Sequence, residues 1–254
     1  MKAIRIIRPG EPDVLELTDL EEPTPGSGQV RVEVYGTALN RADLLQRRGA
    51  YPAPPGVPAD IPGLEFSGVV EAVGDGVDES AVGSWVMGLV GGGGYAEMLV
   101  TDADHVVPMP QGLKFVECAA VPEAFCTAYD ALVLQGGLGP GQTVLIHAAG
   151  SGVGTAAIQL ARAFGAARIF GTASAGKLDA LEERGLSLDV PIHYRRKSFR
   201  DVISRETDGR GVDLILDLVG ATYWSDNIAS LRTRGRIVLL GLVGGTMAQL
   251  NLGV

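Results

Sequence analysis

The run AAGSGVG, from Ala148 to Gly154, joins small residues to a position in the chain suited to phosphate chemistry. It closes the apolar stretch TVLIHAA (143–149) and opens a helical stretch running from about Val153 to Phe164. In a strand–turn–helix context, glycines let the backbone approach a pyrophosphate, and the helix N-terminus supplies unpaired N–H groups and partial positive charge. A dinucleotide is therefore expected to lie against Ala149, Gly150, Ser151, Gly152, Val153 and Gly154. Two positions that are usually glycine carry Ala149 and Ser151, so a purely structural turn is the alternative.

The end of the next apolar run, ARIFGTA (167–173), bears on which dinucleotide. Folds that bind NAD place a carboxylate about 20 residues past the glycines, where it holds the ribose 2′-hydroxyl. Ala173 falls at that place, and no carboxylate occurs before Asp179. Ser174 and Lys177 follow instead. A hydroxyl and an ammonium suit a 2′-phosphate, and a hydrogen bond to a charged group contributes about 1.5–3 kcal/mol. NADPH is the expected cofactor, against the plainer reading that Lys177 only decorates a solvated helix face.

Other reactive residue types fit no constellation. Cys118 and Cys126 form no CxxC pair, no Cys/His cluster has zinc spacing, and both are expected to be buried reduced thiols. His105, His147 and His193 are dispersed, and His147 falls inside an apolar strand, so structural roles are expected. Gly91 to Gly94 precede no Lys-Ser/Thr pair and read as a turn. Ser67 and Ser151 lack the G-x-S-x-G elbow of a hydrolase.

Positioning these residues requires two kinds of architecture. In the first half, VRVEVY (30–35) alternates with period two, and further strands are expected at 2–8, 66–73, 85–90 and 95–100. A short helix fits Arg41 to Arg47, and the proline-rich stretch 51–63 reads as a loop. The second half alternates apolar runs with helical stretches, with strands at 143–149, 167–173, 190–194, 212–220 and 236–242. Continuous apolar strands separated by helices imply a parallel sheet covered on both faces. A helix from Glu123 to Leu134 bridges the halves, which gives domains of 1–122 and 123–254. The net charge of −9 and the lack of a basic stripe disfavour nucleic acid. No apolar run is long enough to cross a bilayer and no signal core opens the chain, so a cytoplasmic protein is expected.

The stretches ALNRADLLQRRGAYPAPPG (38–56), IPGLEFSGVVEAVG (61–74), VPEAFCTAYDAL (121–132), VLIHAAGSGVGTAAIQLAR (144–162) and GRIVLLGLVGG (235–245) carry a collinear likeness. The chain resembles the zinc-free quinone oxidoreductase branch of the medium-chain dehydrogenase/reductase superfamily. The resemblance implies an α/β protein: an N-terminal GroES-like β-barrel domain, then a Rossmann doubly wound parallel sheet, with the active site in the cleft between them. Zinc-dependent members hold their catalytic metal at three positions that here carry Asn40, Leu64 and Glu123, an unsound donor set, so no metal is expected.

By the same resemblance Asn40 and Tyr51 are cleft residues beside the nicotinamide. Either can hydrogen-bond a substrate oxygen, and Tyr51 can donate a proton. The alternatives are that Asn40 caps the helix at Arg41 and that Tyr51 only packs in its loop. Thr127 and Tyr194 match residues that contact the cofactor, although His193 stands where the family commonly has Asn. Val219, Leu242 and Val243 sit at carboxyl ends of strands, the edge where ligands bind in such sheets. The implied reaction is NADPH-dependent reduction of a quinone or related conjugated carbonyl. An enoyl-thioester or enone reductase is the rival enzyme, and a non-catalytic NADPH-binding redox sensor, structural protein or RNA binder is the rival of another class. Only five strands are expected in the sheet, and by the resemblance these residues are expected to lack the family's sixth strand, which is used for pairing into dimers.

Overall fold

The computed structural model describes residues 1–249. The chain divides into two compact units, Met1–Glu123 and Ala124–Val254.

In the first unit, β1 (Lys2–Ile6) and β2 (Leu15–Asp19) pair as an antiparallel hairpin. A second antiparallel sheet holds β3 (Gln29–Gly36), β4 (Glu65–Val73), β5 (Trp85–Leu89), β6 (Met98–Asp102) and β7 (Val106–Pro108), in the order β6-β3-β4-β5-β7. The alternation in β3 does what its period demands: Val30 and Val32 are buried while Tyr35 is exposed. Phe66, Val70, Val86 and Leu99 complete that core. The start of β4 is buried on both faces. Phe66 enters the core, whereas Glu65 and Ser67 face the other way, where the Ser67 hydroxyl donates to the Phe115 carbonyl at 2.6 Å. Two short helices, α1 (Arg41–Arg47) and α2 (Phe115–Cys118), complete the unit.

The strand expected at 95–100 begins only at Met98. The preceding backbone is committed elsewhere: the Gly94 and Tyr95 N–H groups donate to the carbonyls of Gly63 and Pro62 at 3.0 and 2.9 Å. The sequence reading missed β2 and β7; the apolar residues Leu17 and Val107 in them are exposed.

Helix α3 (Pro122–Tyr129) carries the chain across the division and passes into a wider π-helical turn, Asp130–Gln135, so the helix expected to reach Leu134 changes its winding. The second unit then builds a parallel sheet from β8 (Thr143–Ile146), β9 (Arg168–Ala173), β10 (Val190–His193), β11 (Val212–Asp217) and β12 (Leu231–Leu239). The order is β10-β9-β8-β11-β12, with helices α4 (Gly152–Ala163), α5 (Ala175–Glu183), α6 (Phe199–Glu206) and α7 (Trp224–Ser230) in the connections. The apolar runs do not alternate because both faces are covered. Leu214 and Leu216 join one core with Val144, Ile146 and Ile169, while Ile215 joins another with Leu145, Phe170 and Phe199.

The strand expected at 236–242 instead spans Leu231–Leu239, bent near Arg234 and Gly235. It stops because the Leu240 and Gly241 N–H groups turn back to the Asp217 carbonyl, at 2.7 and 3.3 Å. Leu242 and Val243 therefore lie past the strand in a turn. Cys118 is buried as expected, but Cys126 is exposed, because α3 turns it to solvent. No helix among the described residues is long and apolar enough to cross a membrane.

Phe66 is fully buried, and its ring lies over Gly88, where an added Cβ would stand 2.8 Å from the ring. Phe66→Ala is expected to cost about 3–5 kcal/mol in urea unfolding of the first unit. A loss below about 1 kcal/mol would show that the site collapses around the missing ring.

Candidate functional site

The glycine turn is built by local backbone constraints. Ala148 has a positive φ of 49°, a left-handed conformation that costs a residue with a Cβ. Ser151 is extended and caps α4, its Oγ accepting the Gly154 N–H at 3.1 Å. The serine that breaks the glycine spacing thus does a capping job glycine cannot do. The first N–H groups of α4, from Gly152 onward, have no acceptor inside the helix. A Cβ at Gly154 would meet the Ala148 carbonyl oxygen at 2.5 Å, so glycine is required for the helix to pack this close to the turn. A Cβ at Gly152 would meet nothing within 4 Å, which leaves open space over the helix terminus. Gly150 lies under Lys177, whose Cβ would be 2.8 Å from a Cβ there.

Six of the residues expected to bind cofactor line one cavity of about 470 Å³: Ala173, Ser174, Lys177, Tyr194, Val219 and Val243. The cavity opens at the carboxyl ends of β8, β9 and β11, where the strand order reverses. Ala148 joins it to the glycine turn. An open helix terminus beside a cavity with a hydroxyl and an ammonium fits a dinucleotide. Leu242 is not part of the lining and packs instead against Gly220; Thr127, on α3, also lies outside it. The sequence reading missed Thr172, Thr222, Tyr223 and Gly244, which share the lining. Tyr223 follows a short turn after β11, and no periodicity marks it.

Behind this cavity runs a buried polar chain. The Asp217 carboxylate accepts from the N–H groups of Val219 and Gly220 at 2.7 and 3.0 Å and from Asn227 Nδ2 at 2.9 Å. Asn227 Oδ1 then faces His147 Nε2 at 2.7 Å, and His147 Nδ1 meets the Thr172 hydroxyl at 2.9 Å. Because an amide oxygen only accepts, Nε2 carries the proton and Nδ1 accepts from Thr172. Burial lowers the His147 pKa to about 4, against opposing effects of the Asn227 hydrogen bond and the Asp217 charge. This histidine is a satisfied core residue, as its place in an apolar run suggested.

The first unit has its own cavity, of about 700 Å³, lined by Tyr51, Leu64 and Glu123 together with the proline loop. Asn40 does not line it. The Asn40 Nδ2 donates to Glu65 Oε1 at 2.7 Å, and the Glu123 backbone N–H donates to Glu65 Oε2 at 2.9 Å. Asp43 accepts the Asn40 backbone N–H at 2.6 Å and the Tyr95 hydroxyl at 2.9 Å. The cap at α1 is thus made by Asp43, while the Asn40 amide is turned to Glu65. Burial raises the Glu65 pKa; its two donors lower it in part and the Asp43 charge raises it further. The side chains Asn40, Leu64 and Glu123 offer an amide, an alkyl group and one carboxylate, which do not fit a zinc site. Among the described residues, no group of three or more His, Cys, Asp or Glu is placed to hold a metal ion.

An antiparallel first unit followed by a parallel sheet with a glycine turn at its switch point is an arrangement shared by families of dinucleotide-binding oxidoreductases. Residues 26–111 match the alcohol dehydrogenase GroES-like domain, and residues 152–254 match the family described as zinc-binding dehydrogenase. The Rattus norvegicus synaptic vesicle membrane protein VAT-1 homolog is 38% identical over 220 residues, covering 87% of this chain and 54% of the relative. The chain thus spans about half the length of the curated relatives it first matches. A quinone oxidoreductase from Pseudomonas syringae pv. Tomato DC3000 superposes with a TM-score of 0.86 at 33% identity, covering 99% of this chain and 77% of that one. An NAD-dependent alcohol dehydrogenase gives 0.84 at 36% identity (93% and 76% covered), and the CurK enoyl reductase gives 0.87 at 33% (96% and 74%). The chain belongs to the medium-chain dehydrogenase/reductase superfamily.

The lowered His147 pKa has a thermodynamic consequence. Between the unfolded value of 6.5 and the folded value of about 4, the unfolded chain binds the extra proton. Stability is complete above pH 6.5 and falls as pH drops toward 4, by on the order of 3 kcal/mol from this group. His147→Gln is expected to flatten that slope in denaturant titrations; an unchanged slope would assign it to other groups.

Proposed function

We propose that this protein reduces quinones or related conjugated carbonyls with NADPH and without a metal ion. The observation that carries the cofactor choice is the cavity in which Ser174 and Lys177 stand beside the glycine turn, with Ala173 where an NAD-binding chain has a carboxylate. Bound NADPH supplies the hydride from its C4. The protein's part is to hold and orient. The terminus of α4 receives the pyrophosphate, Ser174 and Lys177 receive the 2′-phosphate, and Tyr194 borders the adenosine end. Tyr51 and Asn40 hydrogen-bond the substrate oxygen, with Tyr51 as the proton donor. With an amide and an alkyl group at ligand positions, the first unit lacks the means to stabilise an alkoxide. An electrophilic conjugated carbonyl needs less of that help than an alcohol does.

Reduction of enones or enoyl thioesters is the second reading, favoured by the likeness to the CurK enoyl reductase. The lining of the first-unit cavity weighs against acyl-CoA. It includes the carboxylates of Asp102 and Glu123 and no Lys or Arg, so it repels a phosphate-rich substrate.

Two measurements test these assignments. Lys177→Ala is expected to lower the ratio of kcat/KM for NADPH over NADH about tenfold or more, and an unchanged ratio would remove Lys177 from the 2′-phosphate site. In a substrate panel with NADPH, an uncharged naphthoquinone is expected to exceed its sulfonated analogue in kcat/KM, with the gap narrowing as salt is raised. Equal values, or turnover of enoyl-CoA alone, would favour the second reading; NADPH binding with no turnover of any acceptor would favour a non-catalytic protein.

A further inference from the structure

The mechanism proposed above gives no task to Glu65, the most deeply buried ionisable group of the first unit among Asp43, Arg47 and Glu65. Glu65 is 2% exposed, and no Lys or Arg pairs with its carboxylate among the described ion pairs. A buried carboxylate without a cation persists only where hydrogen bonds compensate its lost hydration. Both oxygens are compensated by neutral donors. Oε1 takes the Asn40 amide at 2.7 Å and Oε2 takes the Glu123 backbone N–H at 2.9 Å. Its own backbone carbonyl receives the Thr37 hydroxyl at 2.7 Å, which ties the residue to the segment leading into α1. One side chain therefore joins the start of α1 to the start of α3, and its sequence neighbour Leu64 lines the cavity that Tyr51 and Glu123 also line. Asn40, Leu64 and Glu123 are the three positions at which zinc-dependent members of the superfamily are expected to carry ligands.

We infer that Glu65 is the positioning residue of the first-unit site. Its carboxylate locks the Asn40 amide in one orientation: Nδ2 stands 2.7 Å from Oε1, and its second proton, on a half-buried side chain outside the cavity lining, is left for a substrate oxygen. An unheld asparagine amide would rotate and offer its oxygen to the substrate as readily as its nitrogen. A quinone or enone oxygen accepts and cannot donate, so only the held orientation is productive. Gln at position 65 would break this arrangement although it has nearly the same shape. Its one oxygen can serve Asn40 or the Glu123 N–H, but not both, and its amide nitrogen meets a donor on the other side. The inference rests on the proposed reduction of a conjugated carbonyl.

The test uses the full chain with NADPH and a naphthoquinone. Glu65→Gln is expected to lower kcat about tenfold or more while leaving NADPH affinity, measured by fluorescence titration, unchanged. Asn40→Ala is expected to lose a similar factor. The double variant should be no slower than Asn40→Ala, because a residue that acts through Asn40 has nothing to add once that amide is gone. Additive losses, or a Glu65→Gln variant with wild-type kcat, would overturn the inference. Where a Glu65 variant does not fold, the wild-type protein decides by NMR. The Asn40 side-chain amide, assigned by its disappearance in Asn40→Ala, is expected to show one slowly exchanging and one rapidly exchanging proton. Two rapidly exchanging protons would overturn the clamp. A wild-type chain that turns over no quinone or enone would defeat the proposed reaction while the NMR measurement still judged the clamp.

Discussion

A carboxylate taken out of water must find donors, and the second unit is arranged around one that does. Asp217 ends β11 fully buried, and its side chain collects the N–H groups of Val219 and Gly220 and the amide of Asn227. Its backbone carbonyl, in turn, ends β12. Four pieces of the carboxyl edge are thereby fixed from one residue: the loop after β11, helix α7, the turn after β12 and, through His147, the exit of β8. Dispersion in the sheet core holds the strands together, but it is non-directional. The directional restraint that gives the cavity at the carboxyl edge its outline comes from this hydrogen-bonded acid.

The first unit repeats the device with different parts. Glu65 and Asp43 are both buried and both satisfied by neutral donors. The units share no fold, yet in each the edge that carries the candidate site is organised by an anion whose partners are amides, hydroxyls and backbone N–H groups. Such an arrangement leaves a negative potential behind the site, in keeping with a chain whose formal charge is −9.

Much of this was legible in the sequence, and the reasons differ by region. The parallel sheet was readable because strands buried on both faces, such as VDLILD in β11, leave long apolar runs that few other structures produce. The glycine turn was readable from small residues set between a strand and a helix. The cavity lining at Ser174 and Lys177 followed from counting along that pattern. What failed to show were features set by distant partners. The late start of β6 depends on loop 61–63 capturing Gly94 and Tyr95, and the early end of β12 depends on Asp217. Glu65 escaped notice because an acid at the start of a strand carries no periodic signal, and its meaning rests on donors 25 and 58 residues away. Tyr223 and Thr222 reach their cavity by way of a short turn that the local sequence does not specify.

The contact between Gly150 and Lys177 ties together two demands that the sequence shows apart. The Cβ, Cδ and Cγ of Lys177 would stand 2.8, 3.0 and 3.2 Å from a Cβ on Gly150, so the aliphatic stem of the lysine lies over the turn. The glycine therefore answers to the stem of residue 177 as well as to its place on α5. A substitution that shortened or branched that stem would change the packing over the turn together with the charge beside it. Across a lineage, the side chains at 150 and 177 would then be expected to change in concert.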